Sequence, residues 1–271
     1  MKAIVCIADT HIGSMTGLCP ADGINLDGGA TFAPNPFVKE MWRVWLHFWG
    51  KYVPEVTRGA SQVIVVHNGD IIDGNHHNAV DFISNVNDQE SAAIQLFRPV
   101  AKRWPLYIIR GTEVHCDKSN QSTERIAAAL GAVRDETINS ASWLQLWLQV
   151  EGVVLQFAHH IGVTSSAAYE SSAPMRELVA GLVESTQWGA PMPDVVVRSH
   201  RHRYIKVEIP SHKGSIQATI TPAWQLRTPF VERIDRMRMP HIGGLVMLCE
   251  DGKCQINHII YPVQPAAVHQ L

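Results

Sequence analysis

The chain has 271 residues, 46% of them hydrophobic and 18% charged, with a formal net charge of −2. That length suffices for one large domain with a well-buried core, and the near balance of charge excludes a generally basic nucleic-acid coat, leaving any polyanion to a local patch. No run reaches the length of a membrane span. Cys6, Cys19, Cys116, Cys249 and Cys254 are odd in number and scattered without a C-x-x-C pair, so neither zinc–thiolate nor redox chemistry is expected, and a reducing cytoplasm fits best.

The opening MKAIVCIADTH reads as a first β-strand (2–8) rather than a cleaved leader. A Gly/Pro-rich stretch (13–36) follows, then PFVKEMWRVWLHFWGKYVPEV, where Trp42, Trp45, Leu46 and Trp49 recur at helical spacing behind Pro36 and mark a core-facing stripe. QVIVVH (62–67) is a second strand, a helical region spans about 79–103, and LYIIR (106–110) is a third strand. Helix between strands implies parallel pairing. After a polar loop and a helix near 122–130, WLQLWLQV and VVLQFAHH flank Glu151-Gly152 as an antiparallel hairpin. A helix near 174–187 leads to PDVVVRSHRHR, followed by strands near 203–209, 215–220, 243–249 and 254–261. The sum is an α/β sandwich of mixed sheets, parallel strands early and antiparallel strands late, in a single domain over 1–271. Within it TPAWQLRTPFVERIDRMRMPH (221–241) is expected to cap the site or to form an oligomer contact.

Polar ligands in α/β sheets gather beyond the carboxyl ends of strands, where the ends open into one crevice. This chain uses that position five times: Asp9 and His11, then Asp70, then Thr112, Glu113 and His115, then His159 and His160, then His200 and His202. Carboxylates and imidazoles without thiolate suit Mn²⁺, Fe or Zn²⁺, and their number exceeds one tetrahedral site, so two metals are expected, with Asp70 bridging them.

The ordered pieces ADTHIG, GDIID, RGTEVH, FAHH and SHRHR resemble the calcineurin-like metallophosphoesterases, whose pattern is D-x-H, G-D, G-N-H, H and G-H-x-H. The resemblance covers roughly residues 3–205 and implies a four-layer fold of two β-sheets flanked by helices. It also implies roles: Asp9, His11 and His202 on a first metal, Asp70 between the two, and His200 with one of His159 and His160 on the second. Mn²⁺ is the foremost candidate, with Fe, Zn²⁺ and Ni²⁺ as alternatives. The third block departs from the pattern. Thr112 stands at the asparagine position and Glu113 at the histidine position, so the second metal is expected to be held less tightly, and Glu113 or His115 to replace the histidine that serves the leaving group. The nearer imitation, GNHH, follows Asp70 by four residues with no strand before it; His76 and His77 are expected to begin the next helix, and Asp73 to support the loop by hydrogen bonds.

The chemistry implied is hydrolysis of a phosphate ester by metal-activated water. No G-x-x-x-x-G-K-[ST] loop, H-E-x-x-H or G-x-S-x-G motif competes with it. DTHIG looks like the branch that contains DNA-repair exonucleases, and Arg110, Arg198, Arg201 and Arg203 border the expected cleft, with Arg110 and Arg201 as candidate substrate contacts, so a phosphodiester in a nucleic acid or nucleotide is favoured. The alternatives are a small phosphomonoesterase or cyclic-nucleotide enzyme, and a non-catalytic scaffold on the same fold. PAWQLRTPF and the G-T-E block are also similar to enzymes encoded by bacteriophages and prophages, which would place the chain in bacterial cytoplasm.

Overall fold

A computed structural model describes all residues except 76–82, 117–118, 163–165, 213, 235–238 and 263–271, with the backbone alone at 116, 230 and 234. The chain runs β1 (Lys2–Ile7), a small ribbon of β2 (Ile24–Asn25) and β3 (Thr31–Phe32), α1 (Pro36–His47), a π-helical turn (Phe48–Tyr52), α2 (Val53–Val56), β4 (Val63–His67), α3 (Val86–Arg103) and β5 (Leu106–Ile108). It continues through α4 (Glu113–Cys116), α5 (Gln121–Leu130), β6 (Leu146–Val150), β7 (Val153–Phe157), α6 (Ser172–Trp188), β8 (Val195–Arg198), β9 (Ile205–Ser211), β10 (Gly214–Ile220), α7 (Pro229–Ile234), β11 (Ile242–Glu250) and β12 (Lys253–Tyr261). None of these helices is long and apolar enough to cross a membrane.

Two five-stranded sheets result, ordered β12-β11-β1-β4-β5 and β6-β7-β8-β10-β9. Alternation along β1 and β4 sorts their side chains between two faces. Ile4, Cys6, Ile64 and Val66 meet Leu155, Phe157, Val195 and Val197 of the other sheet, while Val5, Ile7 and Val65 turn toward α1, α3 and α5. On the far side Leu178 of α6 packs on Val196 and Ala218. Helices, sheet, sheet and helix make the four layers that the resemblance implies.

Both sheets are mixed, as expected, and the early-parallel, late-antiparallel order holds except at β7–β8–β10. Each sheet holds both kinds: β1–β4–β5 and β7–β8–β10 are parallel, while β1–β11–β12, β6–β7 and β9–β10 are antiparallel. The reason is α6, whose 17 residues carry the chain back across the second sheet and make β8 parallel to β7.

Asn35 starts α1 by accepting from the N–H groups of Phe37 and Val38, with Pro36 at the first position, where a missing N–H costs nothing. The inward face is Val38, Met41, Val44 and Trp45, so Leu46, one residue or 100° further round, is 53% exposed rather than part of the stripe. Trp45 packs edge-on against Phe97 and Trp224 at 6.0 and 4.7 Å between ring centroids. The helix expected from about 79 begins at Val86, where Asn85 caps it by accepting from Asn87 N–H. His76 and His77 lie outside the described residues.

Candidate metal centre

β1, β4 and β5 run parallel, as do β7 and β8, and the loops after all five meet at one end of the sandwich. The loops after β1 and β4 are laced together: Asp9 N–H donates to Gly69 O, His11 N–H to Asp70 O and Ile12 N–H to Ile71 O. From the C-terminal part, Trp224 N–H donates to Asp9 O at 3.0 Å. These bonds hold an unusual backbone. Of nine non-glycine residues with positive φ among those described, five are Asp9, His11, Asp70, His200 and His202. A left-handed conformation costs an ordinary residue roughly 1–2 kcal/mol and persists only where the surroundings over-determine it.

Two glycines let these groups approach. A Cβ on Gly111 would stand 2.0 Å from Asp70 Oδ1, and one on Gly69, at φ +95°, 2.3 Å from His159 Nδ1. The glycine of the R-G-T-E block is thus required by contact with the buried carboxylate.

Among the described residues three triplets of one carboxylate and two imidazoles form: His11, Asp73 and His115 at the rim, and, side by side at Asp9, the two of Asp9, His11 and His202 and of Asp70, His159 and His200. His11 Nε2 lies 3.2 Å from His202 Nε2, and His159 Nε2 lies 2.9 Å from Asp70 Oδ2. The triplets adjoin through Asp9 Oδ1, which is 3.3 Å from His202 Nε2 and 3.9 Å from both His11 Nε2 and His159 Nε2. That oxygen is buried and makes no hydrogen bond among the described residues. Its imidazole neighbours are set by other partners: His11 Nδ1 pairs with Asp73 Oδ1 at 3.0 Å, and His159 Nδ1 donates to Asn68 O at 2.7 Å, so each ring presents Nε2 inward. A buried, unbonded carboxylate oxygen ringed by oriented imidazole nitrogens fits a divalent cation.

Electrostatics follows the same geometry. Burial pushes the Asp70 carboxyl up, but the imidazole of His159 and those of His115 and His11 hold it well below the usual carboxylate range. Asp9 is likewise held low, against its burial, by His202 and His159. His159 is lowered by burial yet carried up to about 9 by Asp70 and Asp9, whereas His200 falls to about 4 through burial and the neighbouring His159. His67, wholly buried beneath the site, falls to about 3.

The structure brings Asp9, His11, Asp70, His159, His200 and His202 together and sorts the remaining candidates. His159 is buried and carries the contacts to Asp70, while His160 is exposed, its ring 4.8 Å from that of His200. Thr112 donates to Asp70, through its N–H at 2.8 Å and its hydroxyl at 3.2 Å to Oδ1, so it anchors the carboxylate. His115 packs edge-on against His11 at 4.4 Å and its Nδ1 donates to Asp73 O at 2.7 Å; Glu113 is exposed on α4.

The arginines are largely committed to the loops. Arg110 donates to Ser140 and Ser142, Arg198 pairs with Glu177 at 2.7 Å, Arg201 donates to Glu170 O, and Arg203 binds the Glu170 carboxylate and Met239 O. Residues 221–225, expected to cap the site or contact a second copy, are buried in the fold.

Sequence reasoning missed Asn68, whose amide donates to Ala158 O and Ser199 Oγ and so ties the β4, β7 and β8 loops together. Its place directly before Gly69-Asp70 was the available signal. It also missed Gln225, whose amide donates to Ser14 Oγ at 3.2 Å; a separation of 211 residues leaves no local trace.

No family model matches the chain, and no curated protein matches it. Among solved structures, Vps29 of Chaetomium thermophilum is 11% identical with a TM-score of 0.41, covering 97% of this chain and 98% of its own. Vacuolar protein sorting 29 of Cryptosporidium parvum is 10% identical, with a TM-score of 0.40 over 96% and 97%. A metallophosphoesterase from Sphaerobacter thermophilus is 10% identical, with a TM-score of 0.39 over 96% and 89%. At these values none of the pairings assigns a family or an activity to the chain.

Proposed function

We propose that this protein is a metal-dependent phosphoesterase working at the end of the sandwich where the two triplets meet. The observation that carries the reading is the buried Asp9 Oδ1, unbonded and ringed by the Nε2 atoms of His11, His159 and His202. Asp9, His11 and His202 would hold one divalent ion and Asp70, His159 and His200 a second; Mn²⁺ is the first choice for a carboxylate–imidazole set without thiolate. When bound, such a pair supplies Lewis acidity toward water and the phosphoryl oxygens. The chain's own residues orient and exchange protons. Asp73 fixes the His11 ring, Thr112 fixes Asp70, and His115, with its Nδ1 proton given to Asp73 O, exchanges a proton with the leaving oxygen at Nε2. His115 rather than Glu113 takes this part because it is the one packed against His11.

The substrate class we propose is a phosphodiester. It rests on the resemblance of DTHIG; the bordering arginines support it less than expected, since their donors are engaged in the loops. A cytoplasmic setting is proposed with it. Rates of the Mn²⁺-loaded protein on bis-p-nitrophenyl phosphate and p-nitrophenyl phosphate test the reading: faster turnover of the diester is expected. A monoester preference would move the assignment to a small phosphatase, and metal binding without turnover of either ester, or of single- or double-stranded DNA, to a scaffold.

A further inference from the structure

The five cysteines look scattered along the sequence, but the fold places two of them face to face. In CEDGKC, Asp251 and Gly252 both have positive φ, 48° and 73°, the signature of a two-residue type I′ turn between β11 and β12. The register then sets Glu250 opposite Lys253 and Cys249 opposite Cys254. In such a hairpin the pair next to the turn exchanges hydrogen bonds, so the following pair is of the closely spaced kind, with Cα atoms about 4.5 Å apart and side chains on one face. That spacing lies within the range a disulfide spans. Both residues are free thiols, and they interact: a hydrogen bond from Cys254 holds the Cys249 thiol below its usual value, while the same bond and burial push the Cys254 thiol up, so exchange at Cys254 begins with the loss of its proton as the disulfide enters.

The two thiols differ in access. Cys249 is fully buried, whereas Cys254 is half-buried and lines a cavity of about 210 Å³ with Asp194, Ser215, Gln217 and Lys253. Two features suit that cavity to a polar thiol compound that carries both N–H donors and a carboxylate. Lys253 supplies a cation beside the Asp194 carboxylate, and the buried Oε1 of Gln217, an acceptor with no hydrogen-bond partner among the described residues, calls for a donor. Gln217 Nε2 meanwhile donates to Cys254 O at 3.2 Å, joining the second sheet to the cysteine strand.

We propose that Cys249 and Cys254 form a redox-active dithiol, modified by exchange with a low-molecular-weight disulfide of the glutathione type entering at this cavity. In the first step the Cys254 thiolate attacks one sulfur of that disulfide, forming a mixed disulfide and releasing one thiolate, which takes up the proton Cys254 gave. In the second, Cys249 loses its proton and attacks Cys254 sulfur, closing the Cys249–Cys254 bond and releasing the second thiol. Two protein thiols are oxidised and one disulfide is reduced to two thiols. The site lies at the opposite end of β1 from the metal residues, because Cys249 pairs with Lys2, so the proposal stands independently of the phosphoesterase reading.

The test is incubation of the folded, full-length protein with oxidised glutathione, followed by alkylation and peptide mapping by mass spectrometry. The expected product has lost two hydrogens, carries a linked peptide joining Cys249 to Cys254, and returns to the dithiol with dithiothreitol. A Cys249→Ala variant, which keeps a small apolar side chain in the core, is expected to stop at a glutathione adduct on Cys254. Linkage to Cys6, Cys19 or Cys116 instead, or no reaction of the folded wild type under conditions where the urea-unfolded chain reacts, would overturn the proposal.

Discussion

The two ends of the sandwich solve the same backbone problem differently. At the β11–β12 end, positive φ is carried by Asp251 and Gly252, residue types that adopt it locally and are read as a turn from sequence alone. At the other end Asp9, His11, Asp70, His200 and His202 adopt it because hydrogen bonds from distant loops and the close approach of Gly69 and Gly111 leave them no alternative. Local chemistry sets the first and tertiary structure the second. Substitutions at the second end should therefore affect function well beyond the residue changed, and those at the first should stay local.

The largest effect is expected of Asp70→Asn. It removes the charge that His159 and the proposed second ion share, so metal at the second triplet and turnover of bis-p-nitrophenyl phosphate should fall to background; metal analysis and assay on one preparation check both. Full metal content with full turnover would remove Asp70 from the site. Asp73→Asn is next. It keeps the shape but weakens the partner that orients His11, and metal affinity is expected to drop by about 10–100-fold, read by titration with Mn²⁺.

A smaller effect is expected one layer back, at Glu124, which accepts from Ser140, Ala141 and Ser142 and so shapes the loop that also binds Arg110. Burial raises its carboxyl, but these bonds win and bring it to about 2, from an ordinary 4.5. The stabilisation from its ionised form is thus present above about pH 4.5 and is lost as pH falls toward 2. Glu124→Gln should cost about 1 kcal/mol at pH 7 in urea unfolding, with the difference from wild type shrinking through that window. Smallest in reach is Gly252→Ala at the opposite end. Nothing lies near the new Cβ, so about 1 kcal/mol of backbone strain is expected, with metal content and turnover unchanged. A loss of metal there would mean that the two ends are coupled.

Much of this contrast was legible in the sequence, in proportion to how local its causes are. The strand-end positions of Asp9, Asp70, His159, His200 and His202 follow from apolar runs that stop at polar residues, and the β6–β7 hairpin from Glu151-Gly152. The choice of His159 over His160 was not, because adjacent residues differ only in which side of the strand exit they take, and that is fixed by Asn68 O from another loop. The partners of the arginines were not legible either: position near a cleft says nothing about the Ser140 that Arg110 binds from 30 residues away or the Glu170 that Arg203 binds from 33. CEDGKC is legible as a hairpin, because its D-G turn sets Cys249 opposite Cys254, a pairing that a C-x-x-C spacing does not reveal.

If the strained loops that carry the two triplets exist to hold cations, the metal-stripped chain must bind them. The measurement is titration of the metal-stripped, folded chain with Mn²⁺ by isothermal calorimetry, with Asp9→Asn as the companion variant. Two ions bound per wild-type chain, and binding sharply weakened in the variant, is the expected result. A folded wild-type chain that binds no divalent ion, or a variant that binds as wild type does, would contradict it.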